Sequence, residues 1–313
     1  MRWVMLGLVV VLVAAGLGLW LSGADRVVTA WALDGQREAQ GAMAGALRRL
    51  RAGEAAAVLS LMAVCLGYGF FHAAGPGHGK LLIGGYGAAR EVGAWRLSAV
   101  ALASSLAQGA TAVALVGAGV WLIGWSRERM TTMADEVFAP LSFAAIALVG
   151  LWLVWRGARG LWRVSRAAGQ GLTHDHGHTH DHDHDHTGDG AACSTCGHSH
   201  GPSPEEVARA TGVREIAALI AAVAIRPCTG ALFVLILTAQ MGVFWAGVLG
   251  TFAMALGTAS VTIVVAVAAV GLRRTALAGW AESAALARAQ PILELAVGAL
   301  VATLATQLAL AAL

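Results

Sequence analysis

Two histidines, His72 and His78, flank the run Gly75-Pro76-Gly77 inside an otherwise apolar stretch, and Lys80 follows two positions later. Imidazole is a good ligand for Ni, Co, Zn and Cu ions, so the pair marks a metal site without choosing the metal. On an unbroken helix, rings at this spacing would lie on different faces. Pro76 removes a backbone donor and crowds the preceding turn, while the glycines loosen the chain. The helix should therefore break here and let both rings turn toward one point. A lone histidine in such a place is usually bonded to a neighbouring carbonyl; two at one break favour ligation.

A second break is expected at Arg226-Pro227-Cys228-Thr229-Gly230. Cys228 is either a soft ligand for the same ion or a small packing residue, and Cys65 reads as packing. A charge at mid-membrane costs about 2.5–3.5 kcal/mol on insertion scales, so Arg226 should face the bundle and bond the carbonyls freed at Pro227. Lys80 either snorkels or bonds the carbonyls freed at Pro76. Gln108, with Ser104, Ser105 and Thr111, puts polar groups on or near one face of a later span, and Thr229 adds a hydroxyl beside Cys228. Such groups bond across to another helix or line a pathway.

The densest set of ligands is in a polar insertion. It comprises His174, His176, His178, His180, His182, His184 and His186, then Cys193, Cys196, His198 and His200, interleaved with five aspartates. Near neutral pH imidazole is largely uncharged and free to coordinate, and thiolates raise affinity. A tract this polar cannot form a core, so several weak, interchangeable sites are expected rather than one cage. The stretch Gly75 to Lys80 is not a phosphate loop, because position 74 is Ala and position 81 is Leu. With no nucleotide site elsewhere, transport would be secondary and driven by a gradient.

The elements that must position these groups are membrane helices. Hydrophobic residues make up 58% of the 313 and charged ones 12%, with a mean hydropathy of +0.69, which excludes an ordinary soluble domain. A net charge of +3 is too small to argue for nucleic acid. The predicted order is a signal anchor or signal peptide (1–24), an interfacial or linker helix (25–54), a first set of three helices (55–155), a cytoplasmic His-rich loop (156–214) and a second set of three (215–313). One straight helix over 55–90 would be about 54 Å long against roughly 30 Å of hydrocarbon, and the break resolves the excess. With the N-terminus inside, twelve arginines fall on the inner side and seven on the outer, which places the His-rich loop in the cytoplasm. The paired breaks, and the likeness of Leu106-Ala-Gln-Gly-Ala-Thr111 to Ala255-Leu-Gly-Thr258-Ala-Ser260, suggest two inverted three-helix repeats around a central site.

The run His72-Ala-Ala-Gly-Pro-Gly-His78-Gly-Lys80, the Pro-Cys-Thr-Gly-Ala break at 227–231 and the His-rich insertion resemble the NicO family of nickel/cobalt transporters. Residues 36–53 are similar to that family's lead-in helix. The resemblance implies an all-α, polytopic six-helix core that carries Ni²⁺ or Co²⁺ as substrate, without a permanent cofactor or enzymatic activity, and with His72 and His78 as its functional histidines. Arg226 departs from the small polar residue expected before the proline. The long loop points to efflux at the bacterial inner membrane, with uptake as the alternative. From another class, a thiol–disulfide electron carrier also uses inverted halves with Pro-Cys breaks, and a metal buffer or sensor would depend on the loop alone. The expected partners are divalent ions and the bilayer; a homo-oligomer is left open.

Overall fold

The computed structural model describes residues 23–54, 56–75, 78–170, 204–278 and 284–311, and among them it contains helices and no strand. The first span and the His-rich tract expected from the sequence lie outside the described residues. Helix α1 (Ala24–Arg51) carries a buried stripe of Ala32, Met43, Ala46 and Leu47. That stripe packs on α2 (Ala57–Ala74). The helix lies where one was expected, but protein covers the face that was expected to meet lipid or water.

Helix α2 stops at Gly75, whose extended backbone (φ −65°, ψ 173°) cannot continue the helical ladder, and α3 (His78–Ala89) resumes beyond Pro76. Helix α4 (Ala94–Ala118) runs into a π-helical turn at Gly119–Ile123. Gly124 closes that turn in the left-handed region at φ 69°, where a side chain would be strained. Helix α5 (Arg127–Thr132) is capped by the Ser126 hydroxyl, which accepts from the Arg129 amide at 3.2 Å. A second π-helical turn (Met133–Phe138) leads into α6 (Ala139–Gln170).

The sequence placed the end of this span at Trp155, yet α6 continues into the arginine-rich segment. Tryptophan–arginine stacks four residues apart hold the extension together: Arg156 over Trp152 at 5.5 Å, Arg159 over Trp155 at 4.6 Å and Arg166 over Trp162 at 3.7 Å. In the second half, α7 (Pro204–Ala224) and α8 (Thr229–Gln240) are two limbs bent by 61° at the Pro227 break. Helices α9 (Phe244–Ala278) and α10 (Ala284–Ala311) follow. Among the described residues five helices are long and apolar enough to cross a membrane, or six when the bent pair counts as one span. Large apolar side chains on their outer faces are exposed, including Leu148, Val264, Leu272 and Leu300, as lipid-facing surfaces require.

Packing exchanges the halves. The first broken helix (α2 and α3) lies against α9, the second lies against α4 chiefly through α7 while its α8 limb packs more on α9, and α4 and α9 touch each other. Glycine makes the first contact possible. A Cβ on Gly69 would collide with the Met254 carbonyl, and one on Gly257 with the Leu66 carbonyl, so α2 and α9 approach backbone to backbone. Helices α6 and α10 form the most extensive pair and seat against α7 and α3. One apolar core gathers Leu61, Tyr68, Leu232, Leu235 and Met254; another gathers Leu82, Ile83, Tyr86, Leu97, Ile146 and Leu219.

Candidate functional site

Both helix breaks open onto one cavity of about 230 Å³. His72 and Ala73 reach it from the last turn of α2, Lys80 and Ile83 from α3, and Cys228 and Thr229 from the start of α8. Helix α4 closes one side with Ser104, Ser105 and Gln108, and α9 contributes Thr258 and Thr262. The structure therefore brings His72, Lys80, Gln108, Arg226, Pro227, Cys228 and Thr229, all named from sequence, to one wall-to-wall space.

The His72 ring is oriented by a neighbour that sequence reasoning passed over. Tyr68, one helical turn earlier, stacks on it with centroids 5.8 Å apart and planes 9° from parallel. Tyr68 is fully buried. Its hydroxyl accepts from Gln36 Nε2 on α1 at 3.3 Å, and its ring fills the space that a side chain at Gly230 on α8 would need. Position i+4 on an apolar helix was the available signal.

The breaks are repaired by polar side chains. Lys80 Nζ donates to the carbonyls of Ala74, at 3.2 Å, and of Gly75. Of the two roles open to Lys80, the structure shows it bonding freed carbonyls. Gln108 Nε2 donates to the Arg226 carbonyl at 2.8 Å, bridging α4 to the second break. The Arg226 guanidinium does not repair that break as expected; it stands over the Phe143 ring at 5.0 Å. Thr258 Oγ1 donates to the Gly69 carbonyl at 3.3 Å.

Cys228 occupies the N-cap of α8, with its sulfur 3.7 Å from the Met254 thioether. Both Cys65 and Cys228 are free thiols, and Cys65 is packed in the core as expected. His78 opens α3, but its ring is outside the described part of the structure, as are Pro76, Gly77 and every ligand from His174 to His200. The meeting of two imidazoles thus remains an expectation. Among the described residues no three His, Cys, Asp or Glu side chains converge as a metal centre.

Sequence reasoning also missed a four-charge ring beyond the cavity. Glu215 on α7 pairs with Arg90, just past the end of α3, at 3.1 Å and with Arg156 on α6 at 3.2 Å. Glu294 on α10 pairs with Arg156 at 3.3 Å and with Arg90 at 3.6 Å. The Tyr86 hydroxyl donates to Glu215 at 2.7 Å. A solitary carboxylate, Glu294, in an apolar span was the signal for half of it.

Comparison with known proteins finds a family and a relative. The family described as "NicO: High-affinity nickel-transport protein" matches residues 58–313. A protein of Haemophilus influenzae named "Putative nickel/cobalt efflux system" is 29% identical over 191 residues, 61% of this chain. The chain spans about three fifths of that relative's length, 59%. No solved structure matches.

Proposed function

This chain belongs to the NicO family of nickel-transport proteins, and from that premise we propose that it is a secondary transporter expelling Ni²⁺ or Co²⁺ across the bacterial inner membrane. The observation that carries the reading is the common cavity. A histidine from one broken helix and a cysteine from the other face it, which is where a transporter built of paired broken helices binds its substrate. His72, His78 and Cys228 are the ligands of the passing ion, while Lys80, Gln108 and Thr229 hold the breaks in shape. The exchange of broken helices between α4 and α9 supports the two inverted three-helix repeats. The arginine bias supports a cytoplasmic His-rich loop that gathers ions on the side they leave, and the relative's name favours the outward direction.

The test is ⁶³Ni and ⁵⁷Co accumulation in cells lacking their own exporter. Efflux predicts lower steady-state metal when the chain is expressed, and uptake predicts higher. Unchanged accumulation for every divalent ion tried sinks the transport reading. His72→Ala should abolish the effect, whereas Cys228→Ser should weaken it several-fold. The opposite ranking would favour thiol–disulfide chemistry. Removal of 172–201 should shift the metal threshold and leave transport in place.

A further inference from the structure

The cavity has the wrong charge for a bare divalent cation. Among the described lining residues there is no carboxylate, yet Arg226 and Lys80 both face it. A guanidinium cannot discharge itself by losing a proton in a protein. Arg226 makes its described contact with an aromatic ring, and no carboxylate among the described residues lies within ion-pair reach of it. Lys80 spends donors on two carbonyls beside the cavity. The N-terminus of the twelve-residue α8 opens on the same space through Thr229, and a helix start carries partial positive charge.

An independent feature points to a ligand. Ser104 lines this cavity, is 1% exposed, and its Oγ has no partner. A buried hydroxyl left unpaired is costly, and it is the kind of donor that a small anion completes. The volume of about 230 Å³ has room for an anion together with a metal ion and water, since one water's share of liquid is about 30 Å³.

We propose that the cavity binds a compact anion between Arg226, Ser104 and the start of α8, and that the metal ion occupies the site with this anion as a pair. The inference rests on reading the cavity as the transport site. It adds that the missing negative charge, and one missing ligand, come from outside the chain. The shared chemistry is a small monovalent oxyanion or halide: either free chloride, or a carboxylate group that arrives already bound to the metal.

The experiment uses the purified full-length protein in detergent, without metal, and measures equilibrium binding of ³⁶Cl⁻ and of ¹⁴C-acetate. Saturable binding near one per chain is expected for at least one of them. Chloride binding identifies a free anion as the source, and binding of acetate alone identifies a carboxylate. Arg226→Gln should weaken binding at least tenfold, Arg226→Lys should retain most of it, and Ser104→Ala, which threatens the fold least, should weaken it about threefold. Absence of saturable binding of either anion to monodisperse wild-type protein overturns the proposal. Nickel flux into proteoliposomes separates this from the transport reading. Flux that persists unchanged when chloride is replaced by a bulky sulfonate, with no anion bound, overturns the anion and leaves transport standing. Bound anion without nickel flux keeps the anion site and removes the metal pathway.

Discussion

His72 takes its place from the last turn of α2 and its ring lies stacked on Tyr68. The two rings are stacked one turn apart on α2, and Tyr68 is clamped between Gln36 of α1 and the bare backbone of Gly230 on α8. Two substitutions separate the ring from its hydroxyl. Tyr68→Phe keeps the stack and loses the hydroxyl's hydrogen bonding, the Gln36 bond included, for an expected cost of about 0.5–1.5 kcal/mol per bond and near-normal transport. Tyr68→Ala removes a fully buried ring and should cost about 3–5 kcal/mol. Tyr68→Leu keeps much of the volume but frees the imidazole, so half-saturation for nickel should rise while the protein still folds. Flux titrations in proteoliposomes, alongside thermal unfolding in detergent, check all three. Equal transport by the Phe and Leu variants would show that the stack does not orient the ligand.

At the scale of elements, contacts made without side chains hold the bundle together. A Cβ on Gly298 of α10 would sit 2.7 Å from the Val154 amide and 2.8 Å from the Gly150 carbonyl of α6. Gly298→Ala should therefore push the two helices apart and cost at least 1–3 kcal/mol, the usual range for overpacking. Gly45→Ala on α1, where the nearest atom is the Arg48 guanidinium at 3.9 Å, should instead gain about 0.5–1 kcal/mol from helix propensity. Unfolding midpoints of the two variants should move in opposite directions, and movement in the same direction would refute the packing argument. The breaks at Gly75 and Pro227 were legible because proline and glycine act locally. The pairing of α6 with α10 was not, since Gly150 and Gly298 look like any other residues of an Ala/Gly-rich chain until the fold juxtaposes them. The length of α6 was misjudged for a related reason: its arginines read as a loop boundary, whereas Arg156, Arg159 and Arg166 each stack on a tryptophan four residues earlier.

Over the whole molecule, the cavity and the charge ring are the two ends of the same pair of helices. Helix α3 runs from Lys80 and Ile83 at the cavity through Tyr86 to Arg90, and α7 runs from Val223 through Leu219 to Glu215. Between cavity and ring, Ile83, Tyr86, Leu219 and Val223 belong to one apolar core. The ring ties α3 and α7 to α6 and α10 through two carboxylates that are 7% and 5% exposed. Removing one member, as in Glu294→Gln, leaves Arg90 and Arg156 short of charge. The cost should fall at the low end of about 3–5 kcal/mol, because Arg156 is still 33% exposed. Replacing buried ion pairs by apolar residues of similar size is often neutral or stabilising, so Arg156→Met with Glu294→Leu should recover much of that loss. If the ring serves as the gate on the side assigned to the cytoplasm, the double variant regains stability but not transport, because an apolar plug lacks charges that can separate and re-pair. A double-mutant cycle read by unfolding in detergent and by ⁶³Ni flux in proteoliposomes distinguishes the two roles. Recovery of both stability and flux would reduce the ring to a structural staple, and recovery of stability alone would place the moving barrier between α3 and α7.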